Sequence, residues 1–257
     1  MTLRTFRAGE LAESLYPRFV ADLAARLDDP ASDRNDVVRE TLAGLYAGAA
    51  GGSAASHSGA LASSVAAASF DPRNATLEAE YYNEIDLEKW AKTKPLLWFW
   101  QMFDHSPVGR NVLLGTRVRA MLARRVFRRC GENVRIFHDC EFSFGYNLSV
   151  GDNVTIHRNV LIDDRGEVVI GNNVSISDYA NIYSHSHAVE DINEVSLGRT
   201  VIGDNSRITY HSTVFSGVQV GHDSILASHS VANREIGDYE IFGGVPAKKV
   251  AQKKAHP

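Results

Sequence analysis

Leu148–Ile182 reads LSVGDNVTIHRNVLIDDRGEVVIGNNVSISDYANI. Within it Val150, Ile156, Ile162 and Val168 fall six residues apart, and after a slip of two the same step resumes at Ile170, Ile176 and Ile182. A six-residue apolar period matches neither the 3.6-residue repeat of a helix nor the two-residue alternation of a hairpin. It fits a coil with three flat sides, each a short strand, joined by tight corners. The branched aliphatic residue then points inward and stacks on its equivalent in the next coil. The residue that follows is often Gly, Asn or Asp, types that tolerate corner dihedrals a β-branched residue resists.

The period extends in both directions. Upstream it passes through Ile136, Phe142 and Leu148; downstream it is lost between Tyr183 and Thr200, then runs Ile202, Ile208, Val214, Val220 and Leu226 before ending at Ile236 and Phe242. Val150-Gly151-Asp152-Asn153, Ile170-Gly171-Asn172-Asn173, Ile202-Gly203-Asp204-Asn205, Val220-Gly221-His222-Asp223 and Ile236-Gly237-Asp238 repeat one corner. Self-similarity at a fixed period over this length is the mark of a solenoid.

These repeats resemble the hexapeptide-repeat acyltransferases, and within them the maltose and galactoside O-acetyltransferase branch, over roughly Gly131 to Val250. The resemblance implies a mainly β chain: a left-handed parallel β-helix, against the usual right-handed crossover, preceded here by an α-helical N-terminal region. It also implies a homotrimer with active sites between subunits, acetyl-CoA or another acyl-CoA as co-substrate, and a hydroxyl acceptor, carbohydrate in this branch.

The interruption of the repeat, Asn181-Ile182-Tyr183-Ser184-His185-Ser186-His187-Ala188-Val189-Glu190-Asp191, is where a loop leaves the scaffold, and such loops carry sites. Aligning Ile182 and the polar run on the family places His187 at the catalytic histidine, with His185 the alternative. An alcohol is a poor nucleophile while protonated; a neutral imidazole can take its proton as the new bond forms. Glu190, Asp191 or a backbone carbonyl could orient the ring. Asn159 matches an acceptor-binding asparagine of the sugar-acetylating relatives, with Asp163 and Asp164 following as they do there. Asn159 reads equally well as a corner residue. Gly243-Gly244-Val245-Pro246-Ala247-Lys248-Lys249 resembles the family's terminal segment beside CoA, so that Lys248, Lys249 and Arg234 would meet its phosphates.

Two stretches depart from the family. Arg207-Ile208-Thr209 replaces a Trp-Ile-Gly triplet, and Ala227-Ser228-His229-Ser230 with Asn233-Arg234-Glu235 replaces another pattern along the pantetheine channel. Two other functions use such a fold. His211 and His229 lie 18 residues apart, one three-sided coil, and with His187 or His222 of a neighbour they could hold zinc in a carbonic anhydrase-like hydratase. That family's His-x4-His pair is absent, however, and no metal is expected. A non-catalytic assembly protein is the remaining alternative.

The rest of the chain is helical in pattern. Leu11, Leu15, Phe19, Leu23 and Leu27 form an amphipathic series stopped by Asp28-Asp29-Pro30. A second helix is expected after Ser32 or Asp33, burying Val37, Val38, Leu42, Leu45 and Tyr46, to complete a module over 1–47. Residues 48–69, almost all Ala, Gly and Ser, read as a flexible linker, or else as a small-residue helix against a partner. Residues 70–129 form a connector: 70–100 helical around Trp90, Leu96, Leu97, Trp98 and Trp100, then a basic helix over Arg110–Arg129. That helix carries seven arginines and is expected to cap the β-helix with its arginines solvated, an anionic membrane surface being the other reading. The β-helix itself spans 130–246, with 247–257 a basic tail.

Composition narrows the partners. A formal net charge of -4 argues against nucleic acid. Cys130 and Cys140 are the only cysteines, which with no apolar run near Met1–Phe19 suggests the cytoplasm. The longest apolar cluster, Leu96–Phe103, falls far short of the ~20 residues of a membrane span.

Overall fold

The computed structural model describes residues 9–47, 57–191 and 193–254. From Arg129 the chain winds into a parallel β-helix with three faces. The first is built from the strands Arg129–Cys130, Leu148–Val150, Glu167–Ile170, Arg199–Ile202 and Gln219–Val220. The second comprises Arg135–Ile136, Thr155–Ile156, Ser175–Ile176, Arg207–Ile208, Ile225–Leu226 and Glu240–Gly243. The third comprises Glu141–Phe142, Leu161–Asp163, Asn181–Tyr183, Thr213–Val214 and Val231–Ala232.

The strand register explains the slip in the repeat. Val150 pairs with Ile170, Ile156 with Ile176 and Ile162 with Ile182, so early coils take 20 residues. The two extra residues lie between the third and first faces. Both Leu148 and Val150 therefore point into the core from one strand, as do Val168 and Ile170. Ile170 then pairs with Ile202, a step of 32 that contains the extruded loop. Ile202 pairs with Val220 18 residues on, and Leu226 with Phe242 only 16 on.

The corners work differently from the sequence expectation. Left-handed backbone falls on the third residue of each Gly-Asp-Asn or Gly-Asn-Asn corner, as at Asn153, Asn173 and Asn205, where φ is 57–58°. The glycines are needed for space instead. A Cβ on Gly203 would lie 2.6 Å from the backbone nitrogen of His222 and 2.7 Å from the carbonyl carbon of Gly221. Stacked corners thus approach too closely for any side chain at that position.

The N-terminal helices cover the open end of the solenoid. They are α1 (Glu10–Asp28), α2 (Arg34–Ala47), α3 (His57–Ser69), α4 (Leu87–His105) and α5 (Val112–Val126). α5 packs on the first coil as a cap, with Trp100 and Phe127 meeting Phe142 of the coil at 5.2 and 4.9 Å between ring centroids. Buried Leu23, Leu27, Val38 and Leu42 join the same core, so 9–47 and the connector share one packing unit, whereas Leu11 and Leu15 are exposed. α2 starts where Asp33 Oδ1 accepts the N–H of Asn35, 2.8 Å away.

Several expectations are corrected. Residues 57–69, expected as flexible linker, are helical; 48–56 lie outside the described residues. The helix expected from residue 70 begins only at Leu87, where Asp86 accepts the N–H groups of Glu88 and Lys89. Two short 3₁₀ turns, Pro72–Asn74 and Glu78–Tyr81, precede it. The arginines of α5 are not all solvated, because Arg119 is 1% exposed. At the far end, Lys248–Gln252 is an antiparallel strand on Glu240–Gly243 rather than a tail, and it closes the last coil edge. Residues 255–257 lie outside the described residues. No described helix is long and apolar enough to cross a membrane.

Candidate active site

The loop that interrupts the repeat is a hairpin, His185–His187 pairing antiparallel with Val195–Leu197. Its root is fixed by buried Ser184, whose Oγ donates to the carbonyl of Asp163 at 2.6 Å and accepts from the N–H of Gly166 at 2.9 Å. The carbonyl of Ser184 accepts from Gly198 at 2.7 Å, and Thr200 Oγ1 donates to the carbonyl of Tyr183 at 2.7 Å. The hairpin therefore leaves the solenoid in one direction.

That root sets His185 against the third face. Its Nδ1 lies 2.7 Å from Asp163 Oδ2. Burial holds the imidazole below the usual histidine range, against the pull of Asp163 and with added repulsion from Arg165 and His187. His187 is exposed, its ring edge-on to His185 at 5.2 Å between centroids. Beside the pair runs an open groove of 400 Å³ lined by Tyr183, His185, Ser186, Phe215, Ser216 and Asn233. Phe215 offers an exposed apolar edge there, suited to a slender amphipathic arm.

The other expected residues divide. Arg234 follows Asn233 of the groove, and Lys248 and Lys249 lie in the closing strand, where Lys249 Nζ is 2.8 Å from Glu240 Oε1. Asn159 occupies a corner at φ 56°, in one column with Asp139, Tyr179, His211 and His229, at the opposite end of the Leu161–Asp163 strand from Asp163. Within one chain it does not join the histidines. Asp164 does not fit an acceptor-binding role: it is fully buried and accepts the N–H groups of Phe144 at 2.8 Å and Asn147 at 3.1 Å. Asp191 accepts from Asn193 within its own turn. The carboxylate at the histidines is instead Asp163.

His211 and His229 do stack, 5.1 Å apart and nearly parallel, as their spacing predicts. They continue a ladder from Tyr179. Among the described residues no group of three or more His, Cys, Asp and Glu side chains stands ready to hold a metal. Burial pushes the Cys130 and Cys140 thiols up to about 11 and about 12, so neither is a ready nucleophile.

No family model matches the chain. The Saccharomyces cerevisiae protein named "Putative acetyltransferase YJL218W" is 30% identical over 137 residues, which cover 51% of this chain and 69% of that protein. Escherichia coli galactoside O-acetyltransferase is 28% identical over 138 residues, 52% of this chain and 68% of the relative. Among solved structures, a galactoside acetyltransferase in complex with coenzyme A superposes with a TM-score of 0.57 at 26% identity, over 65% of this chain and 82% of its own. A hexapeptide-repeat acetyltransferase from Vibrio cholerae, VCA0836, shares the fold with a TM-score of 0.57 at 24% identity, over 70% and 96%.

Proposed function

Because the chain belongs to the hexapeptide-repeat acetyltransferases, whose solenoid is the left-handed β-helix and whose co-substrate is acetyl-CoA, we propose that it acetylates a hydroxyl of a carbohydrate, with His187 as general base. The observation that carries this reading is the hairpin at the coil interruption. It sets His185 on Asp163 with the exposed His187 ring edge-on to it, and His185 lines a groove with room for a thioester arm.

Acetyl-CoA supplies the activated acyl group. The imidazole takes the proton from the acceptor hydroxyl as its oxygen bonds to the carbonyl carbon. The carbon–sulfur bond breaks, and the proton passes to the departing thiolate. A base in this role contributes roughly 10²–10⁴-fold. Arg234, Lys248 and Lys249 meet the CoA phosphates, and Asn159, brought from a neighbouring subunit of a homotrimer, is the candidate acceptor contact. Membership of this family stands in place of the hydratase and assembly alternatives.

One observation favours a second reading, in which His185 is itself the base: it lines the groove and has the carboxylate neighbour. Thiol release from acetyl-CoA over a panel of sugars, with His187→Ala and His185→Ala in parallel, separates the two. Loss of roughly 10²-fold or more in kcat on His187→Ala, with a smaller loss on His185→Ala, supports His187; the reverse order transfers the role. Wild-type turnover in both variants overturns the histidine mechanism. Sedimentation of the intact chain tests the trimer.

A further inference from the structure

The helical half of the chain reaches the histidine site through Glu84, which lies between the second 3₁₀ turn and α4. Glu84 Oε1 is 2.7 Å from Arg165 Nη2, with the two side chains 17% and 5% exposed. The Arg165 guanidinium lies over the Tyr82 ring at 4.0 Å, and Tyr82 in turn hydrogen-bonds Glu78. Arg165 is two residues from Asp163, and its backbone N–H donates to Asp163 Oδ1 at 3.2 Å. The other oxygen of the same carboxylate faces His185.

A buried guanidinium needs a carboxylate. Glu84 supplies it, and Asp163, bonded to the Arg165 backbone N–H, is the neighbouring carboxylate. Arg165 Nε makes no further hydrogen bond among the described residues, so the Glu84 ion pair and the Tyr82 ring are what hold the guanidinium.

We infer that Glu84 is a positioning residue of the histidine pair: it holds the Arg165 guanidinium on Tyr82, away from Asp163, and so leaves Asp163 to steady His185. This rests on the reading that the pair performs the proton transfer. The charged and titratable groups facing His185 are Asp163 and Arg165 from the third face and its corner, Glu84 from the connector, and Tyr183 and His187 from its own segment. The carboxyl of Glu84 would be raised by burial, yet a backbone hydrogen bond and Arg165 hold it below its ordinary range, and it senses His185. Removing its charge leaves the guanidinium either uncompensated beside His185 or turned onto Asp163. Both outcomes disfavour the imidazolium.

The test uses the full chain with Glu84→Gln, following His185 by imidazole NMR, its resonances identified by their loss in His185→Ala. The titration of His185 should move down by about half a pH unit or more, and kcat for acetyl transfer should fall roughly tenfold with KM for acetyl-CoA unchanged. An unmoved His185 titration in folded Glu84→Gln reduces the pair to a tether and overturns the inference. Should that variant not fold, Glu84→Gln with Arg165→Met removes both charges, and the titration should then rise above wild type; an unmoved value overturns the inference equally. The NMR readout does not depend on turnover, so failure of the proposed reaction and failure of this coupling are separately visible.

Discussion

Arg119 of α5 and Asp104 of α4 form an ion pair wholly inside the helical cap, Nε to Oδ1 at 2.7 Å, with the two side chains 2% and 3% exposed. Arg119 also donates to the carbonyl of Gly109. The second oxygen of Asp104 accepts the backbone N–H of Asp139, 2.8 Å away, at a corner of the first coil. One carboxylate thus ties two helices to the solenoid. Asp104→Ala strands a buried guanidinium and should cost about 3–5 kcal/mol in urea unfolding. Replacing both residues with apolar ones of similar volume should cost much less, and equal losses would contradict the pairing.

Gly203→Ala tests the packing of the corners. Its Cβ would meet main-chain atoms of the next coil at 2.6–2.9 Å, and backbone cannot step aside as a flexible side chain can. The expected loss is about 1–3 kcal/mol or more. Asn205→Gly, two residues on at φ 58°, keeps an allowed left-handed backbone and should cost less. The opposite ranking would mean that corner dihedrals, and not coil spacing, select the glycine.

The six-residue step was legible because each inward aliphatic touches its equivalent in the neighbouring coil, which makes a three-dimensional contact periodic in sequence. The slip before Ile170 marked the same event, two added corner residues, but only strand register shows that Leu148 and Val150 both face inward. His185 and His187 were legible because they stand where the period fails. Asp163, Glu84 and Arg165 were harder: their meeting joins residues about 20 and 80 positions apart along the chain, and no local period records such a contact. Arg119 was taken for a solvated arginine since six others on its segment share its composition; burial depends on which helix face meets Phe103 and Asp104. His57–Ser69 was ambiguous because Ala and Ser fit a helix or a linker, and the apolar pattern that usually decides is missing.

The three cations proposed to meet the CoA phosphates should not contribute equally. Lys249 is engaged by Glu240, whose carboxyl is held down by that lysine. A phosphate must therefore compete with a carboxylate for it. Lys248→Ala and Arg234→Ala are each expected to raise KM for acetyl-CoA roughly tenfold, the size of one charge-assisted hydrogen bond. Lys249→Ala should raise it less. Steady-state kinetics at low and high salt checks this, the differences shrinking as salt rises. Equal KM in all three variants would move the phosphate site elsewhere.

His185 should titrate below an ordinary histidine, since burial outweighs the attraction of Asp163. A group that binds its proton less well folded than unfolded adds stability that is complete above the unfolded value, about 6.5. That stability declines as pH falls through the lower folded value. Wild type should therefore lose more unfolding free energy between pH 7 and pH 5 than His185→Ala, measured in urea at both values. The same lowering disfavours a charged His185 beside His187. Repulsion from a second imidazolium then opposes less the protonation of His187 in the proposed mechanism. An NMR titration midpoint for His185 at or above 6.5 would remove both arguments, placing a charged imidazole against the proposed base.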